Sequence, residues 1–215
     1  MARRRALACA LVVAAASALA PPLALPQVEL YLDLRMTIRR PLDAISTINQ
    51  SPSGVIMWES ASAPAHDPEL DGLNVLAVDP GSRNIDGLAA VRPVAGGPEV
   101  SLFEPPFDPD QVISACSPGH TVLVDSDAAV WTDETLPLVE VLAAAAAGSA
   151  RVLVSLYDKA MLSACCEKLV LGSLTGSGLV SLGGGEDAPG EPGSIGVALP
   201  PDPSLWKLAK TYASG

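Results

Sequence analysis

Residues His120 to Asp158 constrain this chain more than any other stretch. Thr121 to Val124 is a short run of β-branched and aliphatic residues that ends in Asp125-Ser126-Asp127. Leu136 to Ala147 is compatible with a helix and stops at Gly148, the residue type expected just past a helix end. Asp133 and Glu134 favour the N-terminus of that helix, and Thr132 or Asp133 can cap it. Arg151 to Tyr157 is a second apolar run, closed by Asp158. The order is strand, helix, strand, with carboxylates just beyond the strand ends, where open α/β sheets hold their ligands.

The flanking sequence extends the pattern. Val28 to Arg40 alternates, with apolar residues at Val28, Leu30, Leu32, Leu34, Met36 and Ile38, and predicts a half-buried strand or hairpin. Pro41 to Pro52 reads as a connection. Gly54 onward begins apolar, and Pro64 and Pro68 limit any helix there. Leu73 to Val78 predicts a buried strand that runs into Asp79-Pro80-Gly81-Ser82-Arg83-Asn84, a turn followed by the helix-like run Ile85 to Val91. Glu99 to Glu104 predicts a second short strand ending in an acid. Pro105 to Gly119 is a connection with room for one helical turn. Lys159 to Leu171 reads as an amphipathic helix ending at Gly172, Leu179 to Leu182 and Ile195 to Leu199 as strands, and Ser204 to Tyr212 as a closing element. Between the last two strands lies a Gly-rich acidic loop, Gly183 to Gly193.

At 215 residues the chain suits one domain, taken as 27–215 after a leader at 1–26. In the leader, Arg3-Arg4-Arg5 precedes the apolar run Ala6 to Ala20, with small residues at Ala16, Ala18 and Ala20. This is the layout of a secretory signal, and an Arg-rich, acid-free start also fits an organellar transit peptide. An uncleaved Ala-rich start on a cytoplasmic protein is the alternative. The run is too short and Ala-rich for a stable membrane span.

A net charge of −11 argues against a nucleic-acid backbone as partner, because phosphate contacts need clustered Lys and Arg. It leaves recognition of a basic protein open. Cys116, Cys165 and Cys166 lack CxxC spacing and predict buried thiols rather than a zinc site. The only histidines are His66 and His120, and no GxSxG elbow, P-loop or HExxH motif occurs. His120, just before a strand, reads as a satisfied structural residue. Asp125, Asp127 and Asp158 are candidates for a metal or acid cluster at adjacent strand ends, against the simpler reading of separate solvated carboxylates.

Taken in order, these pieces resemble the seven-stranded S-adenosylmethionine-dependent methyltransferases, and within them the protein-lysine methyltransferase-like family. The resemblance rests on Gly54 to Ala61 with its Trp58-Glu59-Ser60 pattern and on Asp71 to Val78 with Gly87-Leu88-Ala89-Ala90. It rests further on Val100 to Glu104, and on Thr121 to Tyr157 with Asp127 at the acid of the pattern. It covers roughly residues 28 to 158. The chain departs from the pattern in the cofactor loop, where Asp79, Gly81 and Arg83 stand at three glycine positions and Ala77 stands at the preceding acid. Asp127-Ala128-Ala129-Val130 lacks the family's aromatic, and residues between Glu104 and His120 leave little room for a further strand–helix unit.

The resemblance implies a Rossmann-like open twisted α/β sheet with helices on both faces, one strand–helix unit short, preceded by an N-terminal β segment. It implies S-adenosylmethionine as cofactor, a protein lysine as methyl acceptor, and a protein substrate or partner. Trp58, Asp79, Gly81, Glu104 and Asp127 would bind the cofactor, and Asp127 would also act in catalysis. The alternative is a catalytically inactive protein-interaction module on the same fold, motivated by the altered loop.

Overall fold

The computed structural model describes residues 28–58, 70–78, 90–93, 99–105, 107–126, 150–175 and 194–213. The leader, the cofactor-loop residues Asp79 and Gly81, the acid Asp127, the helix expected over Leu136 to Ala147 and the strand expected over Leu179 to Leu182 lie outside them.

The protein is α/β. Its strands are β1 (Glu29–Asp33), β2 (Gly54–Trp58), β3 (Asn74–Val78), β4 (Ala90–Pro93), β5 (Glu99–Phe103), β6 (Thr121–Asp125), β7 (Arg151–Ser155) and β8 (Ser194–Leu199). Its helices are α1 (Pro41–Ile48), α2 (Pro109–Ser114), α3 (Lys159–Thr175) and α4 (Pro203–Ala213). The described strands form one sheet in the order β3-β2-β1-β8-β7-β6-β5-β4. Among the described strands seven run parallel, and β4 alone runs antiparallel, against β5.

That order follows the chain one way round, from β4 through β8 to β1 and on to β3. In a flat sheet six spacings would hold β3 and β5 about 29 Å apart. They are in contact instead, so the sheet is curled nearly into a barrel. Packing explains the curl. One face buries Leu32, Val55, Val122, Val124, Val152, Val154 and Val197 against α1, α2, α3 and α4. The other face forms a second cluster from strand residues alone, Tyr31, Ile56, Leu76, Val100, Leu102, Leu123 and Leu153 among them. With no described helix on that face, its apolar side chains are removed from water by packing across the curl, as in the layered interior of a barrel.

Several local expectations change. The alternation from Val28 to Ile38 holds only as far as Leu34: Asp33 and Tyr31 are buried as well, while Met36 and Ile38 are 74% and 104% exposed. β1 is therefore central and buried on both faces, not half-buried. The connection expected at Pro41 to Pro52 contains α1. Pro41 stands in its first turn with Asp43, and Asn49 ends it in the left-handed conformation at φ 51°. Ala90 and Val91, expected in a helix-like run, lie in β4. α3 continues past Gly172 to Thr175, because a single interior glycine costs only about 1 kcal/mol. Cys165 and Cys166 are buried on α3 as expected, and His120 is buried with its Nε2 2.7 Å from Ser101 Oγ. Among the described residues, no helix is long and apolar enough to cross a membrane.

Candidate functional site

The C-terminal ends of β1, β2, β6 and β7 meet around one guanidinium. Side chains on a strand alternate between faces, so Asp33 shares the inner face with Tyr31, Asp125 with Leu123, and Ser155 with Leu153. Asp125 and Ser155 are register partners across β6 and β7. Arg35 lies just past the end of β1 and folds back over these positions. It is 6% exposed and Asp33 1%.

Every nitrogen of the Arg35 guanidinium is engaged. Nε donates to Asp33 Oδ1 at 3.1 Å, and Nη2 donates to Asp33 Oδ2 at 2.7 Å. Nη1 and Nη2 reach Asp125 Oδ2 and Oδ1 at 3.2 and 2.6 Å. Two forked carboxylate pairs thus share one planar cation, a geometry that lysine could not supply. Ser155 Oγ lies 2.6 Å from Nη2 and donates to Asp33 Oδ2 at 2.9 Å. Tyr157 Oη donates to Asp125 Oδ1 at 3.1 Å. Trp58 closes the remaining side: its ring centroid is 5.6 Å from Arg35 Cζ, and its Nε1 donates to the Arg35 carbonyl at 2.8 Å.

Burial works against the Arg35 charge, but Asp33 and then Asp125 outweigh it and push the guanidinium pKa above its ordinary value. Burial also raises the Tyr157 phenol, with Arg35 opposing and Asp125 and Asp33 adding to the rise. Tyr157 therefore serves as a donor to Asp125. Among the described residues the cluster sets two carboxylates against one guanidinium, so it carries an excess of negative charge. Asp33 and Arg35 are closed off from water, whereas the Asp125 side chain is 16% exposed. Asp125 and Tyr157 form the edge a ligand can reach, and Asp33 and Arg35 hold that edge in place.

The residues singled out from sequence divide unevenly. Trp58 and Glu104 lie at strand ends on this side of the sheet, Trp58 within the cluster and Glu104 half-buried just after β5. Asp79, Gly81 and Asp127 lie outside the described residues. Of the three acids considered as a cluster, Asp125 pairs with Arg35, whereas Asp158 turns away and accepts the Met161 N–H at 2.9 Å at the start of α3. Asp125 is thus not a separate solvated carboxylate. Asp33, Arg35, Ser155 and Tyr157 were missed. The available signal was a pair of opposite charges, Asp33 and Arg35, set two residues apart on the polar side of the alternating Val28–Ile38 pattern.

No family model, no curated protein and no solved structure matches this chain.

Proposed function

We propose that the protein binds a small ligand that donates hydrogen bonds, an amine or a polyhydroxylated molecule, at the C-terminal mouth of its curled parallel sheet. One observation carries the reading: a buried Asp33–Arg35 pair fixes Asp125 and Tyr157 at the lip of the mouth, where α/β barrels place their ligands. Carboxylates outnumber cations there among the described residues, so a cation or a hydroxyl-rich molecule is favoured over an anion. Glu104, which continues the inward register of Val100 and Leu102, adds a further acid on the same side. Trp58 supplies apolar surface beside these polar groups, the usual make-up of a small-molecule site. Asp125 is the group placed to accept a hydrogen bond from a bound amine or hydroxyl.

The test is calorimetry on the full chain with a panel of small amines, monosaccharides and their acidic counterparts. Heat from an amine or sugar that is lost in Asp125→Asn, with the circular dichroism unchanged, supports the reading. Binding confined to acidic ligands, or equal binding by Asp125→Asn, overturns it.

Methyl transfer from S-adenosylmethionine to a protein lysine is a second reading, favoured by Trp58 and Glu104 both lying at this end of the sheet. An amine acceptor suits an acceptor-rich mouth. The described residues do not form a nucleotide crevice, however. Doubly wound sheets open that crevice where the strand order reverses, and this order runs one way round. Titration with S-adenosylmethionine and S-adenosylhomocysteine separates the readings: heat abolished by Gly81→Arg supports methyl transfer, and none removes it in favour of a non-catalytic module or the ligand class above.

A further inference from the structure

The loop that leaves the mouth after Arg35 carries the most exposed of the large apolar side chains among the described residues. Ile38 is 104% exposed, Met36 74% and Leu42, in the first turn of α1, 44%. Such exposure normally accompanies a loose loop, but this one is tied down. The Thr37 N–H donates to the Leu34 carbonyl at 3.1 Å, and the Arg39 N–H donates to Thr37 Oγ1 at 3.2 Å. Arg39 Nη1 then reaches Thr47 Oγ1 on α1 at 2.9 Å. The apolar tips are therefore held outward by fixed backbone.

The charge around them is opposite to that of the whole chain. Between Met36 and Asp43 there are two arginines, Arg39 and Arg40, and one acid, Asp43, in a protein of net charge −11. Arg40 is 68% exposed even while paired with Asp43. Apolar tips flanked by exposed arginines match the layering of a bilayer surface, with acyl chains below and anionic headgroups at the level of the cations. A second copy of the chain is a poorer match. A stable protein interface buries about 800 Å² on each side, more than three side-chain tips supply.

We propose that the loop from Met36 to Leu42 docks the protein on an anionic lipid surface, with Ile38 and Met36 inserted and Arg39 and Arg40 among the headgroups. Docking there sets the mouth beside the bilayer, because Arg35 belongs to both the loop and the cluster. The inference is independent of which ligand occupies the mouth.

Co-sedimentation of the full chain with phosphatidylcholine–phosphatidylserine vesicles tests it, with pure phosphatidylcholine vesicles alongside. Residues 1–27 are the same in every variant, so differences between variants report the loop. The wild type is expected to partition onto the anionic vesicles, and Ile38→Asp to lose about tenfold in partition. Ile38→Trp is expected to gain, because Trp favours the interface, with circular dichroism and sedimentation without vesicles excluding a gain from misfolding or aggregation. Absence of wild-type binding, equal binding to both vesicle types, or equal binding by Ile38→Asp and Ile38→Trp overturns the proposal. So does a dimer, seen by light scattering, that Ile38→Asp dissolves, since it assigns the loop to a second copy.

Discussion

Arg35 Nη2 lies 2.6 Å from Asp125 Oδ1, although 90 positions separate the two residues in the chain. The contact joins the end of β1 to the end of β6, three strands away in the sheet order β1-β8-β7-β6. It is possible because the sheet curls, and because Arg35 is long enough to reach across the mouth from its own Asp33.

Removing Arg35 leaves Asp33 buried without its countercharge. Arg35→Met is therefore expected to cost about 3–5 kcal/mol, measured by urea unfolding. The double substitution Arg35→Met with Asp33→Leu should cost clearly less than the sum of the two singles, because the stranded charge is gone. An additive result would show that the pair is not coupled.

Tyr31 gives stability an alkaline limit. Burial, followed by the charge of Glu29, raises its pKa to about 12. In the unfolded chain a tyrosine ionises near 10, so the folded state holds the proton more tightly. The full stability is present below about pH 10 and is lost as the pH rises through about 12. The expected loss is about 2–3 kcal/mol across that window, and Tyr31→Phe should flatten it. Unfolding midpoints at a series of alkaline pH values check the slope.

Gly54 makes room for the Tyr31 ring. A Cβ there would collide with Tyr31 Cε1 and with the Asn74 carbonyl oxygen, and the carbonyl is β3 backbone that cannot swing aside. Gly54→Ala should cost about 1–3 kcal/mol through overpacking. At Gly196 the nearest atom is the movable end of Leu153, at 2.5 Å, with the Glu29 carbonyl at 3.0 Å. Gly196→Ala should therefore cost less than Gly54→Ala. Thermal unfolding of the two variants ranks them.

Asp202 caps α4. Its Oδ1 accepts from both the N–H and the hydroxyl of Ser204, each at 2.7 Å, and these bonds, the hydroxyl first, hold its pKa below the usual carboxylate value. A lowered pKa means the contribution is present above the unfolded value, near 4, and fades as the pH falls. Asp202→Ala should cost about 1 kcal/mol at neutral pH and less in acid. Urea unfolding at both pH values reads the difference.

The legible parts of the fold were the local ones. β3, β5, β6, β7 and β8 stand where runs of Val, Leu and Ile end at Gly, Pro or an acid, because a short strand is specified by its own side chains. α1 carried its signals, Pro41 and Asn49, but eight residues give too little apolar periodicity to stand out. The mouth was legible only in outline. Asp125 and Glu104 were marked because they sit at strand ends and Trp58 through the family resemblance, whereas Arg35 looked like one more polar position of an alternating strand.

The sequence by itself determined the α/β class and the placing of acids just past the strand ends, since each follows from neighbours within a few residues. Tertiary structure decided which acids meet. The single-direction strand order sets β1 beside β8 and brings β3 near β5, and this closes the inner face on itself. Only that closure carries Asp33, Arg35, Asp125, Ser155 and Tyr157 to one point. The cost of burying a charge then selects the arrangement in which Arg35 is shared by two carboxylates.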